Sequence, residues 1–173
     1  MLGGLHKLPA GEEVPERIYA VIETPKGSMV RYAFHRKLAA LHMYAHVRGA
    51  HGYPADYGFV PSTMAQDGHL LDIFVLCREP TFPGCVIECR PVGVLHLSDG
   101  SLVDSKILTV PCVDDRFKEV MNLQDLPEGT RQTLESFFSL NPHLAGREET
   151  VSGWGDAEEA KDVVFKAWEG FLI

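Results

Sequence analysis

The sequence contains no apolar run long enough to cross a membrane, and its start lacks the basic and apolar regions of a secretory signal. It also has no excess of basic residues, since 16 Lys and Arg stand against 24 Asp and Glu, a formal net charge of −8. An acidic chain is poorly suited to binding nucleic acid by neutralising phosphates. We therefore expect a cytoplasmic protein that binds neither membranes nor nucleic acid.

Cysteine is scarce, and its four positions, Cys77, Cys85, Cys89 and Cys112, form no Cys-x-x-Cys pair. In a cytoplasmic chain such residues behave as reduced, small apolar side chains. No internal repeat or low-complexity segment divides the 173 residues, and an apolar content of 45% is enough to build one core. The sequence therefore predicts a single domain over residues 1–173.

The first two-thirds of the chain is typical of β-structure, after a lead-in segment at residues 1–15. Strand-forming runs occur at 17–23, 29–34, 73–77, 85–95 and 107–112, and the turn at 25–28 predicts that the first two runs form a hairpin. Residues 38–47 are compatible with a helix or a strand. Pro91 and Gly93 predict a bulge or bend in the fourth run.

The last third has helical patterns instead. Residues 114–121 favour a short helix, and Asp125 with Pro127 is typical of the start of a helix over 126–140. Asp156 precedes a second helix whose apolar residues share one stripe: Ala160, Val163, Val164, Ala167, Trp168 and Phe171. Strands followed by two main helices predict an α+β fold, mainly β, with a small barrel and flanking helices.

Two short stretches carry most of the acidic chemistry. Asp67, His69 and Asp72 stand where a turn meets an apolar strand, so they are candidate ligands for a divalent cation. Spacing alone favours a simpler interpretation, in which Asp67 is a turn residue, His69 a surface residue and Asp72 a charge at the strand edge. In the second stretch, Asp104 and Lys106 would share one face of a strand, either as site residues or as a plain ion pair.

The chain also resembles a known family in several segments that occur in the same order along the sequence. They are residues 15–23, 53–59, Asp67 to Asp72, 89–95, Asp99 to Lys106, 126–128, 137–138 and 153–154. Over nearly its whole length the chain thus resembles the soluble family I inorganic pyrophosphatases. The resemblance implies a five-stranded OB-like barrel and a homo-oligomer. It also implies hydrolysis of pyrophosphate, a small anionic substrate, to two phosphates with several Mg²⁺ ions.

The resemblance also assigns roles to residues at matching positions. The implied metal ligands are Asp67, His69, Asp72, Asp99 and Asp104, and of these Asp67 and His69 would be catalytic. The implied contacts with the substrate are made by Arg31, Tyr57 and Lys106.

The sequence departs from the family pattern at several of these positions. The middle Asp of the signature is His69, which can bind one metal ion but cannot bridge two as a carboxylate does. Where the family has Glu, Arg and Glu, this sequence has Ala33, Ala45 and Gly100. Where the family has a Tyr-Lys pair, it has Asn141-Pro142. Arg48, His143 or Arg147 could replace some of the lost charge. We read His42 and His46 as a solvated or lightly packed face.

The sequence is compatible with three functions. The first is a pyrophosphatase with an altered metal site, in which the softer imidazole of His69 favours Mn²⁺, Co²⁺ or Zn²⁺ beside Mg²⁺. The second is a hydrolase of another phosphorylated metabolite. The third is a non-catalytic relative that binds a phosphate ligand or a protein partner.

Overall fold

The protein is described by a computed structural model over residues 4–173, so residues 1–3 of the expected lead-in segment lie outside the described residues. The strands are β1 (Ile18–Thr24), β2 (Val30–His35), β3 (Ala40–His46), β4 (Asp56–Val60), β5 (Leu71–Val75), β6 (Val86–Ser98), β7 (Val103–Pro111) and β8 (Thr150–Gly155). The helices are α1 (Thr130–Leu140) and α2 (Ala157–Leu172).

Five strands close into a ring. The main sheet has the order β1-β4-β5-β7-β6-β8, and β6 also pairs with β1, which closes the ring and leaves β8 outside it. Pairing is antiparallel except between β5 and β7, which run parallel. This closure confirms the five-stranded barrel of the α+β class with two helices in the C-terminal third.

The predicted hairpin of the first two strands is wrong. Both edges of β1 are taken by β4 and β6, and β2 instead pairs with β3 in a separate two-stranded sheet. The ambiguous segment at 38–47 is therefore a strand. The side chain of Thr24 still links the two layers, because its Oγ1 accepts from the Tyr32 amide and donates to the Tyr32 carbonyl.

The bulge predicted in the long fourth run is confirmed. β6 pairs with β7 over most of its length, and the register shifts between Pro91 and Gly93. Proline cannot donate to the ladder, and a Cβ at position 93 would meet the Leu123 side chain at 2.2 Å. The part of β6 before the shift pairs with β1, and the part after it pairs with β8.

Helix α1 begins later than predicted. Asp125 does not cap it, because its carboxylate accepts from the Met121 and Asn122 amides and closes a short 3-10 turn. The helix begins instead after Gly129, whose φ of +87° suits glycine. The short helix expected at 114–121 is reduced to a 3-10 turn at 115–117.

Helix α2 begins as predicted, since the Asp156 side chain accepts from the Glu159 amide. Ala160, Val164 and Ala167 of the predicted stripe are buried, and Val163 and Trp168 are partly buried. Phe171, at the end of the helix, is exposed. Within residues 4–173, no helix combines the length and apolar character that a membrane crossing requires.

The two helices cover opposite faces of the strands, because residues of one strand alternate between faces. Leu71, Ile73 and Val75 of β5 join the cluster that packs against α2. Phe74 joins the cluster under α1, together with Leu108 and Val110 of β7. Asp72, Asp104 and Lys106 have the same parity as these residues, so the strands place their side chains on the α1 face.

Candidate active site

The floor of the site consists of Asp72, Asp104 and Lys106. Lys106 lies beside Asp72 on the neighbouring parallel strand and two residues after Asp104 on its own strand. Its ammonium is 3% exposed and donates to both carboxylates, at 2.8 Å to Asp104 Oδ2 and in a short contact to Asp72 Oδ2. The prediction that Asp104 and Lys106 share one face is therefore confirmed.

The floor charges are electrostatically linked. Burial opposes ionisation of Asp72, but Lys106 and Arg31 outweigh it and hold the pKa of this carboxyl below its usual value. Burial raises the pKa of Asp104 to about 6, although Lys106 acts against the rise and Asp72 adds to it. The floor therefore holds more carboxylate than its single ammonium neutralises.

The rim of the site consists of Asp67, His69, Asp99 and Arg147, all outside regular strands and helices. Asp67 Oδ1 accepts from the His69 amide, and its Oδ2 lies 3.3 Å from His69 Nδ1. The His69 side chain is 80% exposed. The structure thus brings His69 to Asp67 and to the edge of the cavity, but it shows no polar contact between His69 and the floor.

Asp99 uses one carboxylate oxygen for its own turn. Its Oδ1 accepts from the Ser101 amide and hydroxyl and from the Leu102 amide. The amides of Leu102 and Ser101 lower the pKa of Asp99 to about 2. Its Oδ2 faces the Arg147 Nε at 3.5 Å, so Asp99 reaches the other carboxylates across this arginine.

Arg147 is the cation that the rim carboxylates share. Its Nη2 lies 3.8 Å from Asp67 and 3.7 Å from Asp104, and its Nε donates to the buried Glu149 at 2.8 Å. The sequence marked Arg147 only as one possible source of replacement charge. Its position between Gly146 and two glutamates was the available signal, but no local pattern predicts that three distant aspartates would meet it.

The carboxylates of the floor and the rim therefore face protein cations. Within residues 4–173, no group of three or more His, Cys, Asp or Glu side chains stands ready to hold one metal ion. Carboxylate oxygens are nonetheless the ligands that Mg²⁺ and Mn²⁺ prefer. The donor atoms fit a hard divalent cation, whereas the positions they occupy are set by Lys106 and Arg147.

Arg31 and Tyr57 form a wall above the floor. The Arg31 guanidinium lies 4.8 Å from the centre of the Tyr44 ring and 5.6 Å from that of Tyr57, and it donates to the Leu144 carbonyl. Its buried Nε has no hydrogen-bond partner within residues 4–173. Tyr57 is 3% exposed, and its ring also faces Lys106. All three predicted substrate contacts therefore lie in one region.

An open cavity of about 650 Å³ lies against parts of the floor, the rim and the wall, although Asp99 and Tyr57 do not line it. Asp67, His69, Asp72, Asp104, Arg31 and Lys106 all line it, as do Arg36, Lys37 and His42 of the β2–β3 hairpin. Glu23 also lines the cavity and is buried, although nothing in the sequence marked it as a site residue. Its carboxylate accepts from the Phe34 amide at 2.6 Å, and burial raises its pKa to about 7.

Comparison with known proteins identifies the family. A model described as inorganic pyrophosphatase matches residues 20–171. The chain belongs to the inorganic pyrophosphatase family. The inorganic pyrophosphatase of Thermus thermophilus is 38% identical over 166 residues, covering 94% of this chain and 95% of that protein. That of Leifsonia xyli subsp. xyli is 42% identical over 145 residues, covering 83% and 89%.

Solved structures of the family agree in fold. The crystal structure of the inorganic pyrophosphatase from Thermus thermophilus matches with a TM-score of 0.88 and 36% identity, covering 96% of this chain and 97% of that one. The structure of the inorganic pyrophosphatase from Helicobacter pylori matches with a TM-score of 0.88 and 31% identity, covering 96% of this chain and 99% of that one. The resemblance to the family I inorganic pyrophosphatases is confirmed.

The departures from the family pattern have structural roles of their own. Asn141 is buried at the end of α1, where its side chain accepts from the Arg48 amide and donates to the Phe137 carbonyl. Gly100 occupies a turn with φ +91°. Ala45 lies opposite Arg31 in the hairpin. His143, one of the possible replacement charges, lines a separate groove and does not line the main cavity.

Proposed function

We propose that this protein hydrolyses inorganic pyrophosphate to two phosphates with the help of divalent cations. The observation that supports this best is the meeting of an acidic floor with a cationic wall in one open cavity. Metal ions need the first and phosphate oxygens need the second. The names of the relatives, all inorganic pyrophosphatases, point to the same substrate.

We assign metal binding to Asp67, Asp72, Asp99 and Asp104, with His69 as an additional nitrogen ligand. Divalent cations held there would neutralise phosphate charge and lower the pKa of a bound water, so that the water could lose a proton and attack phosphorus as hydroxide. Mg²⁺ fits the carboxylates, while the imidazole of His69 would also suit Mn²⁺, Co²⁺ or Zn²⁺. Because His69 is exposed, its nitrogen can reach an ion only at the open side of the cavity.

We assign substrate binding to Arg31, Tyr57 and Lys106. Arg31 has a buried Nε free for an anion, and its planar guanidinium can contact phosphate oxygens at two points. Tyr57 and Lys106 lie beside it at the floor, so the three side chains could hold one phosphate against the aspartates. Burial of Lys106 strengthens its attraction for an anion, since little water screens it.

Proton transfer is assigned to Asp67 and His69. Asp67 Oδ2 faces His69 Nδ1 at 3.3 Å, an arrangement that orients an imidazole and leaves Nε2 open. Nε2 would then either hold a metal ion or accept a proton from the attacking water at the rim of the cavity, because it cannot do both at once. Asp67 also touches the edge of the Arg147 guanidinium, so the charge of that arginine influences the same pair.

The test is phosphate release by the purified protein from pyrophosphate with Mg²⁺, Mn²⁺, Co²⁺ or Zn²⁺, and from a panel of phosphorylated metabolites. We expect release from pyrophosphate with at least one metal and none after chelation. Release only from another compound would replace the proposed substrate. No release from any compound would favour a protein that binds phosphate without hydrolysing it.

We further propose a cytoplasmic homo-oligomer that does not bind nucleic acid. The net charge of −8 is consistent with the last point. Exposed apolar side chains, namely Leu38, Met43 and Tyr44 on the hairpin and Leu172 at the end of α2, could be covered by a second copy. Light scattering should give a mass above 19.2 kDa, and a monomer at all concentrations would reject assembly.

A further inference from the structure

Arg147 places one guanidinium against four carboxylates. The Asp67, Asp99 and Asp104 oxygens lie 3.5–3.8 Å from its nitrogens, and only Glu149, at 2.8 Å, is close enough for a hydrogen bond. Arg147 is thus anchored on Glu149 and holds the three aspartates by charge alone. Lys106 differs, because it donates hydrogen bonds to both of its carboxylates.

The same three aspartates are the residues to which we assign a divalent cation. We propose that the Arg147 guanidinium is the resident cation of this cluster in the metal-free protein and competes with the divalent cation for Asp67, Asp99 and Asp104. This inference rests on the metal sites of the proposed function. It makes Arg147 a positioning residue that sets the affinity for metal.

The geometry allows the exchange. Oxygen ligands lie about 2.1 Å from Mg²⁺, which is smaller than a guanidinium. The aspartate oxygens would therefore have to move closer together to bind the ion. Arg147 has no hydrogen bond to these aspartates to break, and its side chain is 31% exposed on the open side of the cavity. Glu149, 5% exposed, can keep hold of the Nε while the Nη2 edge turns away from Asp67 and Asp104.

The competition can be measured without substrate, from the Mn²⁺ affinity of the purified protein by electron paramagnetic resonance. Arg147→Gln removes the competing charge, so we expect Mn²⁺ binding about ten-fold tighter than in the wild type. Arg147→Lys keeps the charge but shortens the reach, and its affinity should lie between the two. The control is Arg116→Gln, which removes a guanidinium paired with Glu79 and Asp114 outside the cavity.

Arg147→Gln leaves the buried Glu149 without its cation and could impair folding. The double variant Arg147→Gln/Glu149→Gln removes both charges, keeps the net charge of the chain, and should still bind Mn²⁺ about three-fold tighter than the wild type. A second measurement follows Arg147 itself. Mg²⁺ should speed the reaction of phenylglyoxal with Arg147, read by peptide mass spectrometry, and leave the Arg116 peptide unchanged.

An unchanged or weaker Mn²⁺ affinity in both the single and the double variant would overturn the proposal. Tightening in Arg116→Gln of the same size would overturn it too, since a general charge effect would then suffice. The outcome is separate from hydrolysis. A wild type that hydrolyses pyrophosphate while the variants show unchanged affinity removes this inference alone, and tightening in a protein that releases no phosphate removes only the proposed function.

Discussion

The floor and the rim of the site are built in different ways. The floor residues Asp72, Asp104 and Lys106 project from paired strands, and Lys106 is 3% exposed. The rim residues come from loops, and the His69 side chain is 80% exposed. None of the departures from the family pattern lies on the floor strands β5 and β7. A buried network tolerates little change, whereas loop positions can exchange side chains without disturbing the barrel.

The largest effect should follow from breaking the floor. Lys106→Met removes the ammonium that Asp72 and Asp104 share, and losing one partner of a buried pair costs about 4 kcal/mol in the free energy of unfolding. Urea unfolding at neutral pH measures this. Lys166→Met, which removes an exposed ion pair on α2, is the control. Equal midpoints for the two variants would show that the floor is not a buried charge network.

A second effect concerns Glu23, which is buried beside the floor but has no ion pair within residues 4–173. Its folded pKa, about 7, lies above the unfolded value of 4.5, so its contribution is full below pH 4.5 and is lost as pH rises to 7. Glu23→Gln keeps an acceptor for the Phe34 amide without the charge. It should stabilise the protein by about 3 kcal/mol at pH 8.

At pH 4 we expect Glu23→Gln to leave the free energy of unfolding unchanged, because both folded proteins are neutral at this position. Unfolding curves at the two pH values give the comparison, with the exposed Glu128→Gln as control. Equal stabilisation at pH 4 and pH 8 would mean that packing, not charge, distinguishes the variant.

The smallest effect is expected at the rim. His69→Asp restores a carboxylate between the proposed metal ligands, so Mg²⁺ binding and the Mg²⁺-dependent rate on pyrophosphate should rise about three-fold. The gain is limited because Gly100, Asn141 and Pro142 still lack the side chains of the family pattern. His69→Asn, which has no charge, is the control. If His69→Asp changes neither quantity, His69 lies outside the metal site.

Much of the fold could be predicted from the sequence. Strand-forming runs and turn signals predicted the barrel strands β1, β5, β6 and β7 but not β4, and Pro91 with Gly93 predicted the bulge in β6. The hairpin was wrong because sequence gives the turn at 25–28 but not the fact that β4 and β6 already occupy both edges of β1. The start of α1 was wrong because Asp125 serves the turn before the helix.

The site could be predicted only in part. The family resemblance named the floor residues and the wall, and the structure places the floor and Arg31 along one cavity, with Tyr57 buried behind them. Their metal-binding and catalytic roles stay predictions. Glu23 could not be found from sequence, because a buried glutamate in a strand has no local signature. Arg147 was named only as a possible replacement charge, because its aspartate partners are far away in the chain.

The central claim is that the floor carboxylates hold the cations that make pyrophosphate hydrolysis possible. The most direct measurement is the Mn²⁺ affinity and the rate of phosphate release for the same preparations of the wild type, Asp72→Asn/Asp104→Asn, and Asp114→Asn, whose carboxylate pairs with Arg116 outside the cavity. The account predicts that the double variant loses both Mn²⁺ binding and turnover while Asp114→Asn keeps both. A folded double variant that binds Mn²⁺ and releases phosphate as the wild type does would contradict it.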